Sequence, residues 1–301
     1  MGTKAQVIVK NTDKEISERA IELAFTELKR IEKIMNRRDP TSELSEINSY
    51  AGKGEIQVSD DVLNVLLTAE KINELSGGAF DPTVEPAIKL WDEVEEPPPS
   101  KEELAAIRKK VGWRFVRINI KDKTLFLQKG VNLDLDGIAK GYAADMALAS
   151  AVQRGAQCVL VNVGGDIVVH SAFSCPSWDI GINNPLGASE QVIFSVQIRS
   201  GGIATSGPAR RYWLMGGEKF PRILNPQTLF PPANAPLSAT AFAGSATEAD
   251  AWATVAAILG DVIRNINNEN IPSLLVLTKD KKFVFNEQWR KNFGVPNVLS
   301  P

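Results

Sequence analysis

Thr247-Glu248-Ala249-Asp250-Ala251-Trp252-Ala253-Thr254 sets a carboxylate and a hydroxyl four residues apart. On a helix that interval puts Asp250 and Thr254 on one face, one turn apart. Both are hard oxygen donors, of the kind Mg²⁺ takes while keeping water or substrate phosphate in its shell. In a distant part of the chain, Asp134-Leu135-Asp136-Gly137-Ile138-Ala139-Lys140-Gly141 reads as a strand entering a helix through a glycine. Backbone groups are free to meet a ligand at such a corner. Together the two segments point to a metal-assisted phosphate site. Taken alone, Asp-x-x-x-Thr more often marks a solvated or capping helix face, so the rest of the chain has to decide.

The 301 residues, 44% hydrophobic and 23% charged, suit one large α+β domain or two lobes sharing a core. A net charge of -2 and the lack of a long basic run argue against nucleic-acid binding. Arg108-Lys109-Lys110 ends a predicted helix, where it complements the helix dipole. No apolar run has the length of a membrane span, and no signal segment precedes the alternating Ala5-Gln6-Val7-Ile8-Val9. The expectation is a cytoplasmic protein, or a mature form that has lost an export segment. Cys158 sits in an apolar strand and reads as a small core residue; spacing gives no support to a disulfide with Cys175.

Further signals fill in the elements. Thr12-Asp13-Lys14-Glu15 reads as a capping box opening a long amphipathic helix, and Thr41-Ser42 starts a short one. A helix is predicted from Ser59 to Ser76, then an irregular proline-rich stretch from Ala79 to Pro86. Glu95-Glu96-Pro97-Pro98-Pro99-Ser100 is linker-like and leads to a second capping box at Ser100. A hairpin turns at Lys121-Asp122-Lys123, and a helix follows from Lys140 to Arg154. Strands are predicted at 159–163, 166–169, 178–182 and 192–198, a loop-rich region from Gly201 to Pro232, and a helix from Ala246 to Leu259. A hairpin, 274–277 with 283–285, closes the chain. Mixed elements with several hairpins favour α+β over a doubly wound sheet.

In order along the chain come Ser42-Glu43-Leu44, Gly78-Ala79-Phe80-Asp81-Pro82-Thr83, Asp134 to Asp145 and Val161-Asn162-Val163-Gly164-Gly165-Asp166. Ile203-Ala204-Thr205-Ser206-Gly207, Ile223-Leu224-Asn225-Pro226-Gln227-Thr228 and Ala249 to Thr254 complete the series. With these motifs the chain resembles the ApbE-type flavin transferases, FAD:protein FMN transferases, over almost its whole length. The resemblance implies a two-lobed, T-fold-like α+β architecture of largely antiparallel sheets flanked by helices, with FAD between the lobes. It implies Mg²⁺-dependent transfer of FMN from FAD to a threonine of a partner protein, with release of AMP. It further implies metal ligation by Gly137, Asp250 and Thr254. The FAD pocket it implies comprises Met1, Arg38, Ala79, Phe80, Asp81, Asp134, Lys140, Gly165, Thr205, Ser206 and Ile223. Family members are often exported and tethered to a membrane, which implies residence outside the cytoplasm.

On their own, the glycine pair Gly164-Gly165 suits a bulge or a close approach to ligand equally, and Thr205-Ser206-Gly207 suits a plain turn. Three departures bear on chemistry. Arg222 stands where the family usually has histidine, Asn225 replaces an aspartate and Leu229 a glycine. Arginine keeps its proton and cannot be a general base, though its planar fork can clamp a phosphate. The candidate catalytic residues are therefore Asp250, Arg222 and Asp134. Alternatives are a diverged protein that holds FAD or another adenine nucleotide, and a Mg²⁺-dependent FAD pyrophosphatase. The only histidine, His170, is expected to be an ordinary strand residue.

Overall fold

The frame is a seven-stranded sheet in which every neighbouring pair runs antiparallel. The computed structural model describes residues 2–10, 12–93, 98–187, 191–207, 212–215 and 217–296. In chain order the strands are β1 (Ala5–Lys10), β2 (Glu55–Gln57), β3 (Val116–Asn119), β4 (Thr124–Leu127), β5 (Cys158–Val163), β6 (Asp166–Ser171) and β7 (Trp178–Asn183). They continue with β8 (Val192–Ile198), β9 (Ser200–Ser206), β10 (Tyr212–Met215), β11 (Glu218–Pro221), β12 (Ser238–Ala243), β13 (Ser273–Leu277) and β14 (Phe283–Phe285). The large sheet has the order β1-β5-β6-β9-β12-β13-β14; β2-β4-β3, β7-β8 and β10-β11 form smaller sheets. The helices are α1 (Lys14–Met35), α2 (Glu43–Ser49), α3 (Asp60–Leu75), α4 (Glu85–Glu93), α5 (Lys101–Arg108), α6 (Ala139–Gln153), α7 (Ala246–Leu259) and α8 (Glu287–Phe293). Among the described residues no helix is long and apolar enough to cross a membrane.

Both faces of the large sheet are covered, which explains why β5 is a nearly unbroken apolar run. Val159, Val161 and Val163 pack with α1, α3, α6 and α7, whereas Cys158 and Leu160 face the β7-β8 ribbon and Trp289 of α8. Alternation at period two assigns each side chain to its layer. The helical layer is rich in alanine: Ala139, Ala143, Ala144 and Ala147 on α6 are buried, as are Ala246, Ala249, Ala253 and Ala256 on α7. Small side chains let the two helices meet closely. A Cβ added to Gly141 would stand 2.1 Å from the Ala246 carbonyl oxygen, so only glycine fits there. Asp145 locks the crossing, accepting from the backbone N–H of Ala246 (2.9 Å) and Thr247 (2.8 Å) at the start of α7. The carboxylate thereby satisfies free amides of the helix N-terminus.

Several expectations need correction. Asp134 to Gly137 is an irregular loop, not a strand. The region from Gly201 to Pro232 holds more than loop among its described residues: β9 lies at the centre of the large sheet, and β10 and β11 make a ribbon. Its small residues, Ser-Gly-Gly-Ile-Ala-Thr-Ser, carry little strand propensity; packing under α7 selects them, and a Cβ at Gly202 would meet the Ala246 backbone within 2.4 Å. Pro86 falls in the first turn of α4, where proline is tolerated, so the stretch read as irregular contains a helix. Asp13, not Thr12, caps α1. The last hairpin is followed by α8. Cys158 and Cys175 form a disulfide, Cα to Cα 6.0 Å, because the loop after β6 folds back beside the start of β5. Arg108 does more than complement a dipole, since its guanidinium donates to the carbonyls of Pro226 and Gln227. Of the linker-like stretch, Glu95, Glu96 and Pro97 lie outside the described residues.

Candidate active site

Lys140, on the first turn of α6, is the hub of the site. Its ammonium lies 2.7 Å from Asp166 Oδ2 and 2.9 Å from Asp250 Oδ2, and donates to the Asp136 carbonyl at 3.1 Å. Three separate segments thus converge: the loop before α6, the start of β6 and the second turn of α7. Gly164 and Gly165 form the two-residue turn joining β5 to β6, with φ of +66° and +98°. That left-handed turn suits glycine and delivers Asp166 to the mouth of the sheet.

Burial and the neighbouring Asp166 push the Asp250 carboxyl up to about 7, with Lys140 opposing. Burial alone would lower the Lys140 ammonium, but Asp166 and Asp250 outweigh it and raise it. These two shifts pull the same pair in opposite directions. The geometry resolves them: two buried carboxylates share one ammonium, so the lysine stays charged and the second negative charge is the costly one.

This cluster lines a pocket of about 400 Å³. Five aspartates (Asp81, Asp134, Asp136, Asp166 and Asp250) line it, against three cations (Arg37, Lys140 and Arg222). Thr254 also lines it; a Cβ at Gly137 would stand 3.3 Å from Thr254 Oγ1. The residues expected to bind Mg²⁺, Gly137, Asp250 and Thr254, therefore do come together. Among the described residues no group of three or more His, Cys, Asp or Glu side chains is placed to hold a metal ion by itself. A site drawing on one carboxylate, one hydroxyl and one carbonyl is of the open kind, completed by phosphate or water oxygens. An excess of buried negative charge beside these hard oxygens fits a divalent cation.

Ala79, Phe80, Asp81, Asp134, Lys140, Thr205, Ser206 and Ile223 all line the same pocket. Asp134 forms an ion pair with Arg37, whose Nε lies 2.8 Å from Asp134 Oδ2, and accepts from the Asp136 N–H at 2.7 Å. Burial and Asp136 push its carboxyl up to about 6, against the pull of Arg37. Asp81 is more committed than its sequence implied. One oxygen accepts from Thr83 N–H and Oγ1 at 2.9 and 2.7 Å, the other from Trp113 N–H at 3.0 Å. It holds the wall of the pocket together. Thr205 lies in β9 rather than a turn, its hydroxyl 2.9 Å from that of Thr240.

Other expected residues fall elsewhere. Gly164, not Gly165, lines the pocket; the Gly165 N–H donates to Asn162 Oδ1 at 2.8 Å. Arg38 lines a neighbouring cavity instead, while the adjacent Arg37 enters the pocket. Met1 lies outside the described residues. Arg222 is held by Asp92, 2.8 Å away, and packs 5.3 Å from the Trp213 ring, whose Nε1 donates to the same aspartate. Leu229 takes the left-handed conformation, φ +60°, that the usual glycine would adopt without cost. Its side chain is fully buried and its carbonyl accepts from Trp91 Nε1 at 3.0 Å.

Arg37 and Asp166 are not among the site residues that the sequence predicts. A run of two arginines does not reveal which one turns inward. Asp166 closes the Val161 to Asp166 motif, where sequence alone gives it no role.

Known proteins fit this architecture. The chain matches the ApbE family over residues 1–275. It is 30% identical over 258 residues to the FAD:protein FMN transferase of Treponema pallidum (strain Nichols), covering 80% of this chain and 71% of that protein. Identity is 29% over 269 residues to the FAD:protein FMN transferase of Escherichia coli (strain K12), covering 86% and 76%. The ApbE protein of Thermotoga maritima superposes with a TM-score of 0.87 at 29% identity, covering 97% of this chain and 96% of that one. The flavin transferase ApbE of Vibrio cholerae superposes with a TM-score of 0.78 at 26% identity and the same coverage. A shared fold over nearly the full length, with the same motifs drawn into one pocket, places this chain in the ApbE family.

Proposed function

We propose that this protein transfers the FMN half of FAD to a threonine hydroxyl of a partner protein, in a Mg²⁺-dependent reaction that releases AMP. The convergence of Asp250, Thr254, Gly137, Lys140 and Asp166 in a single pocket carries this reading. When bound there, Mg²⁺ would supply positive charge to the diphosphate oxygens. Asp250, Thr254 and the Gly137 carbonyl would hold it.

The chain's own groups account for the remaining work. Lys140 stands beside the donor set as a fixed cation, and Arg222 offers a second at the pocket edge, steadied by Asp92. In the transfer, the threonine oxygen forms a bond to the FMN phosphorus, and the bond to the AMP oxygen breaks with its electron pair. The hydroxyl proton must leave. Arg222 cannot take it, whereas Asp134, with its carboxyl near 6, has the proton affinity for that role at neutral pH. Phe80, Ile88 and Leu224 supply apolar wall for a flat ring system. The Cys158–Cys175 disulfide supports residence in an oxidising compartment outside the cytoplasm.

The test is to incubate the protein with FAD, Mg²⁺ and a threonine-bearing acceptor domain and look for a fluorescent, covalently flavinylated band. FAD binding without a band favours a nucleotide-holding protein. Free FMN with AMP, and no band, favours a pyrophosphatase.

A further inference from the structure

Beside the nucleotide pocket lies a second cavity of about 590 Å³. The two share Gly2, Asp136, Lys140 and Arg222, so the second cavity meets the first beside these charged groups. The rest of its lining includes Ile31 and Met35 near the end of α1, Asn36 and Arg38 just beyond, and Tyr212 at the start of β10. We propose that this cavity seats the acceptor: an extended segment of the partner protein whose hydroxyl side chain reaches across the shared wall to the diphosphate. The inference rests on the transferase reading above and names where its second substrate binds.

Phosphoryl transfer places the attacking and leaving oxygens roughly in line, on opposite sides of phosphorus. A pocket filled by a dinucleotide therefore needs a separate approach for the nucleophile, and this cavity supplies one beside Lys140. The Ile31 and Met35 part of its lining is apolar and adaptable, since both are buried and methionine reshapes easily around a ligand. At its rim the Arg38 guanidinium is half-exposed and 3.5 Å from Asp136. A pair that wet contributes little to stability, so a docking segment can displace it cheaply.

The β10-β11 ribbon gives the third support. It has only two strands, so each strand keeps an edge unpaired among the described strands. Tyr212 pairs with Pro221, next to Arg222, so the open end of the ribbon stands at the cavity. An extended chain can add to such an edge through backbone hydrogen bonds, which impose no particular side chain. Tyr212 and Leu214 are 42% and 62% exposed, offering the aromatic and aliphatic anchors that interfaces favour.

The experiment compares the parent with Tyr212→Ala, Arg38→Ala and the double variant in three measurements. These are the KM for a threonine-bearing acceptor domain, the FAD dissociation constant, and fluorescence anisotropy of the same domain with its threonine replaced by valine. The double variant is expected to raise the acceptor KM and the anisotropy dissociation constant about tenfold, with FAD affinity within about twofold of the parent. Weakened FAD binding with an unchanged acceptor KM would overturn the proposal and make the cavity a nucleotide subsite. Unchanged values throughout, with transfer intact, would also overturn it while leaving the transferase reading standing. If the parent neither flavinylates the domain nor binds its valine form, both readings fall together.

Discussion

Gly141 and Ala246 touch so closely that position 141 has no room for even a methyl group, with 2.1 Å between a built Cβ and the Ala246 oxygen. That contact sets how deeply α7 seats against α6, and so the distance from Lys140 to Asp250. Gly141→Ala must push the helices apart. Overpacking of this kind costs about 1–3 kcal/mol. A urea titration should show that loss, together with weaker FAD binding, because Lys140 and Asp250 ride on the two displaced elements. Wild-type stability in Gly141→Ala would contradict the packing.

Asp250→Asn keeps the shape of the side chain and removes its charge. Lys140 retains Asp166, so the fold should survive. Added Mg²⁺ is expected to raise the melting temperature of the parent and to leave that of Asp250→Asn unchanged. Transfer should fall about 10²–10³-fold, the usual cost of losing a positioned electrostatic group. An undiminished Mg²⁺ response would reassign the metal ligand.

The Asp134 carboxyl gives a pH signature. Its folded value, about 6, lies above the ordinary 3.8, so folding favours the protonated form. The sign follows: its contribution to stability is full below 3.8 and is lost as pH rises through 6. The loss amounts to about 3 kcal/mol at most. Parent and Asp134→Asn should therefore be compared by denaturant unfolding at pH 4 and pH 7. The parent should gain on the variant toward the acidic end, whatever constant penalty Arg37 incurs from losing its partner. A pH-independent difference would refute the assignment.

Leu229 pits backbone strain against burial. Left-handed backbone at a non-glycine residue costs about 1–2 kcal/mol, which glycine would relieve. Removing a fully buried leucine side chain costs about 2–5 kcal/mol. Burial wins, so Leu229→Gly should lower stability by about 1–3 kcal/mol even though it restores the family's usual residue. A thermal or denaturant melt decides the sign.

Much of this site could be read from the chain alone because its residues sit on elements with strong local signals. Asp250 and Thr254 lie on a helix whose bounds, Ala246 to Leu259, the sequence marks through its Ser245 cap and apolar run. Ala79-Phe80-Asp81 and the Asp134 loop are motif-dense. Elements made by tertiary context were harder to see. β9 is a strand only because its neighbours β6 and β12 accept it, and its glycines exist for the passage of α7. Arg37 and Arg38 differ by one residue in a turn, and no periodicity extends that far beyond α1. The disulfide pairs residues 17 apart, and sequence spacing does not show that the β6 loop doubles back.

That sulfur bridge has a practical bearing on any bench work. Closing a loop of this size is worth about 3 kcal/mol, and the bond pins the approach to the β7-β8 ribbon against the main sheet. Protein harvested from a host whose thiols stay reduced would have this corner untied. Preparations differing only in oxidant history would then melt differently while carrying identical catalytic side chains. Titrating free sulfhydryls before comparing batches separates that origin of variation from any defect in flavin handling.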